Sequence, residues 1–494
     1  MPDVDDLDVV QERFLQGLDA LNAEPSAHRL SDVGNAELFA RLHRGIVRYC
    51  YPMRAWFVCN QEGRWERDAG AAIMQLAKAV ILHMYELVRQ ERDDDRRAKL
   101  AAHASRSESA PRLQAMIELA KDEPGIAIES QRFDAAHWLF NVANGVVDLQ
   151  TGHCRERRRD DYLTKQSPVA FDPYATCAGW LEFLERIFDH DRDLIKYVQQ
   201  VIGYSLTGLT AEQAFFLLWG AGANGKSTLL KVLLRLFGDY GLQMPAETFF
   251  ARMQDGRATP DLARLQGARL AIAIESDDGC RLAEGLIKQM TGSDRIAARR
   301  LYQDFIEFEP THKVLFATNH KPRVNDNTHA MWRRMRLIPF NVQIPEAEQD
   351  PALADRLLLE LPGILNWALA GCLAWQRGGR LHTPEPVITA TAAYRTEQDA
   401  LDDFLRERCV AVPNASVKFS ELRKDYAEWA EGISERPLSS KAFASALQER
   451  GFTPAKIANT RHYQGLRLRT IQDDLADAQA QPEIIVEVSD VADC

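Results

Sequence analysis

The sequence has no C-x-x-C pair: its eight cysteines (50, 59, 154, 177, 280, 372, 409 and 494) are scattered over 494 residues. That spacing argues against a zinc module and a disulfide framework, and suits a reducing compartment. No apolar run approaches the ~20 residues that span a bilayer, so no membrane partner is expected. The opening "MPDVDDLDVVQERF" is acidic where a signal peptide would be basic and then apolar, and a cytoplasmic location is the resulting expectation. No internal repeat is evident. Basic charge is in deficit: 60 Lys and Arg against 71 Asp and Glu leave a net −11. As a bulk figure that argues against nucleic acid, but DNA responds to a local patch rather than to the sum. The positive charge that exists is bunched, at "CRERRRDD" (154–161), "RIAARRLYQ" (295–303), "NHKPR" (319–323) and "WRRMR" (332–336).

What is present is an ordinary globular composition, 46% apolar and 27% charged, in a chain long enough for two to four domains. Two aromatic segments flanking Asn60-Gln61-Glu62-Gly63 read as a β-hairpin. A helix over "AAIMQLAKAVILHMYELVRQERDDDRRAKL" follows, and 101–135 reads as helical and polar. "WLFNVANGVVDLQTG" gives a second hairpin with turns at Asn144-Gly145 and Thr151-Gly152. Further on, "DPALADRLLLELPGILNWALAGCLAWQRGG" is helical and stops at Gly378-Gly379, and another helix is expected over 388–409. Residues 417–469 read as two helices and a short basic ribbon, a winged-helix pattern, although a plain helical cap fits as well.

Chemistry concentrates at the centre. "WGAGANGKSTLL" contains Gly220, Gly222, Asn224, Gly225, Lys226, Ser227 and Thr228, and fits G-x-x-x-x-G-K-[ST] at every fixed position. Glycines let the backbone turn its N–H groups toward phosphate oxygens, Lys226 reaches the β- and γ-phosphates, and the Ser227 hydroxyl suits Mg²⁺. The apolar "AFFLLW" before the loop reads as a buried strand, and "KSTLLKVLLRLF" after it as a helix ended by Gly238. ATP and Mg²⁺ are therefore the expected cofactors.

Such a loop needs a carboxylate at the end of a neighbouring strand. In "ARLAIAIESDDG", Leu270 to Ile274 form an apolar strand with Glu275 at its C-terminal end, where α/β ligand sites belong. Ser276 takes the place where a second adjacent acid is usual, so the shares of Glu275, Asp277 and Asp278 stay open. A third strand, "KVLFATNH", ends in Asn319. Between these strands, "LIKQMTGSDRIAARRLYQDFIEFEPTHK" reads as a helix, a break at Gly292 and two extended segments. Arg299, Arg300 and Tyr302 there could meet a nucleic-acid backbone, or merely keep an edge hairpin soluble. Last, Arg333 and Arg334 precede an apolar strand, positioned either for surface ion pairs or as a finger into a neighbouring subunit.

Taken in order, "GAGANGKST", "AIESDDG", "LIKQMTGSDRIAARRLY", "FATNHKPRV" and "MWRRMRLIPF" resemble the superfamily 3 helicase domain of phage and plasmid primase–helicases, with the poxvirus primase–helicase as a relative. The resemblance is strong over 135–345 and loose over 385–470. It implies an AAA+-like P-loop ATPase core of α/β class, with a mostly helical N-terminal region and a C-terminal winged-helix-like domain. The implied layout is an α+β region (1–134), a helicase-preceding helical domain (135–205), the ATPase (206–345), a helical segment (346–410), the winged-helix-like domain (411–470) and an acidic, disordered tail (471–494). It further implies a hexameric ring moving 3′→5′ on single-stranded DNA. Lys226, Ser227 and Glu275 then serve nucleotide and Mg²⁺, Asn319 is the sensor, Arg299 and Arg300 lie in the DNA hairpin, Arg333 or Arg334 is the finger, and Lys288 matches a position of doubtful role. Fewer than 135 residues precede the strongly matching region and hold no acidic catalytic constellation, so primer synthesis is not expected of them, and a separate primase is a possible partner. The alternative is an ATP-driven replication initiator or oligomeric switch that binds DNA without unwinding it.

Overall fold

Residues 29–251, 260–275, 280–299, 305–324, 328–398, 400–432, 437–470 and 472–473 are described by the computed structural model. They divide into two units at residue 391/392.

In the first unit, α1 (Asp32–His43) is capped by Ser31, whose hydroxyl accepts from the Gly34 amide at 3.1 Å. The antiparallel sheet β1 (Val47–Cys50), β2 (Ala55–Cys59) and β3 (Trp65–Arg67) contains the hairpin expected around Asn60. Helices α2 (Ala72–Gln90), α3 (Asp94–Ser107) and α4 (Ala110–Ala120) follow. The single long helix expected over α2 and α3 is thus broken. Glu91 is extended, and the Asp93 carboxylate accepts from the Arg96 amide at 2.7 Å to start a new helix. The second sheet is β4 (Leu139–Val142), β5 (Gly145–Asp148) and β6 (Cys154–Arg155). Its first turn lies one residue ahead of the Asn-Gly pair, because Val142 already pairs with Gly145. Asn144 is recruited elsewhere, its amide bonding the Phe171 N–H at 2.8 Å and carbonyl at 2.9 Å.

Helices α5 (Ala178–Ile187) and α6 (Arg192–Ser205) lead into five parallel strands: β7 (Phe215–Trp219), β8 (Gly241–Met244), β9 (Leu270–Glu275), β12 (Lys313–Thr318) and β13 (Met335–Pro339). They lie in the order β13–β7–β12–β9–β8. α7 (Lys226–Phe237) joins the first two, while α8 (Pro260–Ala263) precedes β9 and α9 (Glu284–Thr291) follows it. The antiparallel hairpin β10 (Ile296–Arg299) and β11 (Phe305–Phe308) leads into β12, and α10 (His329–Trp332) into β13. Every residue of β12 is buried, as a parallel sheet covered on both faces requires. α11 (Leu353–Leu359) and α12 (Leu361–Gly378) complete this core. Among the described residues no single helix is long and apolar enough to cross a membrane.

Buried cations tie the lead-in to the sheet. Past the C-terminus of α6, carbonyls that have run out of helical partners carry partial negative charge. Arg269 donates to the Leu206 carbonyl at 2.5 Å and to that of Leu139 at 2.6 Å. The Lys313 ammonium donates to the carbonyls of Thr207 and, at 3.3 Å, Leu209. Burial pushes the Lys313 pKa well below its ordinary range.

α13 (Glu385–Glu397) carries the chain across the division. The second unit then contains α14 (Ala400–Arg408), β14 (Cys409–Lys418), α15 (Phe419–Gly432), α16 (Ser440–Glu449), β15 (Thr453–Ile457) and β16 (Thr460–Leu468). The strands form an antiparallel sheet in the order β14–β16–β15, around a core that includes Phe404, Leu422, Tyr426, Phe443, Leu447 and Tyr463. The expected helix over 388–409 is two helices, and β14 was not anticipated: its alternating pattern is interrupted by a register shift between Ala411 and Ser416. The acidic tail beyond 473 lies outside the described residues.

Candidate nucleotide site

Strand register assembles the site. Trp219 at the end of β7 stands beside Thr318 at the end of β12, which stands beside Glu275 at the end of β9. The glycine loop leaves β7 immediately after Trp219, and Asn319 follows Thr318 directly. Three segments separated by tens of residues in sequence therefore emerge at one C-terminal edge, where open α/β sheets bind ligands.

The loop is moulded by close contacts. A Cβ on Gly220 would lie 2.2 Å from the Phe340 carbonyl oxygen, so only glycine fits. Ala223 and Gly225 have φ of 59° and 83°, the left-handed turn that delivers the chain into α7. At Gly225 an added Cβ would also meet Ile187 Cγ2 at 2.5 Å, so α5 of the lead-in forms the wall of the loop. Asn224 is buried and donates to the carbonyls of Ala221 and, at 3.4 Å, Phe340. Gly222 faces open space, Ser227 is exposed and Thr228 half-buried at the first turn of α7.

Lys226 lies at the centre of this arrangement. Its ammonium donates to the Gly220 carbonyl at 2.6 Å, to Asn224 Oδ1 at 3.1 Å and to Asn319 Oδ1 at 3.2 Å. With the side chain buried and no carboxylate among these partners, desolvation lowers its pKa to about 8. Glu275 is also buried, at the end of β9. Asp277 and Asp278 lie outside the described residues. An exposed hydroxyl at a helix N-terminus, a buried ammonium and a nearby acid form a donor set suited to a magnesium–triphosphate.

Other expected residues lie elsewhere. Met335 pairs with Phe215, and the Phe215 amide donates to the Arg334 carbonyl at 2.8 Å, so Arg333 and Arg334 enter at the N-terminal edge of the sheet. A strand of this length separates them from the loop of their own chain by roughly 13 Å. Arg333 is exposed and donates to Gln213 Oε1 at 3.0 Å; Arg334 is half-buried and donates to the Ala330 carbonyl at 2.6 Å. Burial, then the adjacent Arg333 charge, lowers the Arg334 pKa. The hairpin feeds the same N-terminal edge. Arg299 ends β10, while Arg300 and Tyr302 lie outside the described residues. Lys288 is in the last turn of α9.

Sequence reasoning missed two contributors. The Lys321 ammonium lies 4.4 Å from the centroid of the Trp219 ring, and its place two residues past Asn319 was the available signal. Phe340, whose carbonyl crowds Gly220, gave none, because it joins the loop only through the pairing of β13 with β7.

Residues 36–189 match the family described as D5 N terminal like, and residues 218–334 match a family of unknown function, DUF5906. A protein of Acanthamoeba polyphaga mimivirus proposed as a helicase is 28% identical over 323 residues, covering 60% of this chain and 33% of its own. One of Frog virus 3, also proposed as a helicase, is 30% identical over 382 residues, covering 61% of this chain and 39% of its own. A protein of African swine fever virus proposed as a primase is 25% identical over 333 residues, covering 60% and 34%. The similarity is thus to viral proteins proposed as helicases and primases, with the N-terminal match to the D5-like family. It spans about a third of the length of these viral relatives. The fold is that of the apo NrS-1 C-terminal region (305–718), with a TM-score of 0.50 at 11% identity over 88% of this chain and 99% of the other.

Proposed function

We propose that this chain is an ATP-hydrolysing motor that moves along single-stranded DNA, 3′→5′, in the replication of a virus, phage, plasmid or related element. What carries the reading is the shared edge of β7, β12 and β9, with Lys226 3.2 Å from Asn319. In this reading Gly220, Gly222, Asn224, Gly225 and Thr228 surround the phosphates. Lys226 matches their charge, Ser227 and Glu275 serve Mg²⁺, Glu275 polarises the attacking water, and Asn319 reports on the γ-phosphate. Mg²⁺ would neutralise charge developing on the transferred phosphoryl group.

The first strand of the sheet lies between the fifth and the fourth, an order that supports an AAA+-like fold. Arginines on the edge opposite the loop support a finger acting in trans, and with it a ring, by family analogy a hexamer. Helices α15 and α16 followed by the β15–β16 ribbon support a winged-helix-like second unit.

The test is steady-state ATPase with and without single-stranded DNA, at low and moderate salt. Stimulation that fades with salt is the expected result. Arg299→Ala with Arg300→Ala should abolish strand displacement and leave basal hydrolysis within about twofold of the parent. Hydrolysis indifferent to DNA, with the double variant behaving as the parent, would instead point to an initiator or switch that does not unwind.

A further inference from the structure

The ATPase reading leaves the basic run "CRERRRDD" without a role, and the structure separates its arginines into two kinds. Arg155 is held by the Asp161 carboxylate through two 2.8 Å hydrogen bonds, and Arg157 pairs with Glu62 at 3.0 Å. Arg158 and Arg159 are exposed, and among the described residues neither has an ion-pair partner. Arg44 and Arg132 are likewise exposed and Arg48 is half-buried, and among the described residues none of the three has an ion-pair partner; the fold gathers these segments, which sequence separates. The Arg48 guanidinium lies 5.2 Å from the Trp65 ring and 5.6 Å from that of Tyr162, while that of Arg132 lies 4.9 Å from the Tyr162 ring. Arg48 also bonds the Tyr162 hydroxyl at 3.1 Å and the Arg44 carbonyl. The Trp65 indole donates to the Arg159 carbonyl at 2.8 Å.

The floor of this cluster is rigid. Trp65 and Tyr162 are buried and stacked, with centroids 5.5 Å apart. Tyr162 has φ of 49°, a left-handed conformation costly for a bulky residue; it ends the tight turn Arg159–Asp161 that displays Arg158 and Arg159. Guanidinium groups stacked on aromatic faces lose little entropy on forming paired hydrogen bonds to phosphate oxygens. Buried rings cannot stack on bases, so recognition here would be of backbone charge and not of sequence.

We propose that Arg44, Arg48, Arg132, Arg158 and Arg159 form a second binding surface, in the module upstream of the ATPase, for the phosphodiester backbone of single-stranded DNA. It rests on the function proposed above only for the choice of polymer. The experiment is a nucleotide-free anisotropy titration of the full chain with labelled oligothymidine across a salt series. Arg132→Ala with Arg159→Ala, both exposed, should weaken binding about tenfold and flatten the slope of log K against log salt by about 1.4, near 0.7 for each lost phosphate contact. Basal ATPase should match the parent. Arg132→Lys with Arg159→Lys should restore the parental slope, since charge is kept. Parental affinity and slope in the alanine pair would overturn the proposal, as would a lysine pair no better than alanine. Polyglutamate competing as well as polythymidine would overturn it too, marking an acidic-protein surface. Binding as expected in a chain that never unwinds DNA would keep this surface and remove the motor.

Discussion

At the scale of single residues, Lys226 shows how burial prepares a charge for a ligand. The ammonium is held by three oxygens, none of them ionised, and its pKa has fallen to about 8. A triphosphate favours the charged form, so nucleotide affinity should be flat below about pH 8 and fall above it, by up to about tenfold per pH unit. Titration of a fluorescent nucleotide from pH 7 upward measures this, and Lys226→Ala should bind weakly at every pH and not hydrolyse. Affinity unchanged to about pH 9.5 would remove Lys226 from the phosphates. His312 is a second case. Among the described residues both ring nitrogens are buried without hydrogen-bond partners, and burial lowers its pKa to about 3. The unfolded chain takes up a proton below about pH 6.5 that the folded chain refuses until about pH 3, so stability is lost as pH falls through that window. His312→Leu should recover about 2 kcal/mol of the loss between pH 7 and 5 in urea melts. An unchanged difference between the two pH values would show that another group dominates.

At the scale of elements, the motif-bearing pieces were legible because their signals are local. The strand before Gly220, the helix from Lys226, the break at Gly292 and the strand ending in Glu275 all appear where periodicity and glycine put them. Legibility failed where an element depends on a distant partner. Asp93 starts a new helix inside a charged run that itself favours helix. Asn144 shifts its turn because its side chain is needed at Phe171. β14 exists because β16 pairs with it, and its own sequence alternates poorly.

At the scale of the whole molecule, the separation of Arg333 and Arg334 from their own loop sets the next expectation. They sit at the N-terminal edge of the sheet and the glycine loop at the C-terminal edge, so an arginine that serves the proposed hydrolysis would do so in another subunit. Arg333→Ala with Arg334→Ala should lower hydrolysis about 10³-fold or more in pure form. Mixing it with Lys226→Ala should restore part of the activity, because the arginines of the Lys226→Ala subunit then complete the intact loop of the other. ATPase assays of mixed and unmixed preparations decide this, and a mixture as inactive as its parts would exclude a finger in trans. Specific activity should also rise with protein concentration as subunits assemble.

The sequence by itself determined the glycine loop, its flanking strand and helix, and the strands that end at Glu275 and before Asn319, because backbone freedom at glycine and side-chain periodicity act over a few residues. Only the tertiary structure decided that Glu275, Asn319 and Lys226 share one edge while Arg333 and Arg334 occupy the other. It also decided that arginines from three distant segments gather around one Trp–Tyr pair. Those placements follow from strand register and side-chain packing between segments far apart in the chain, and no local pattern records them.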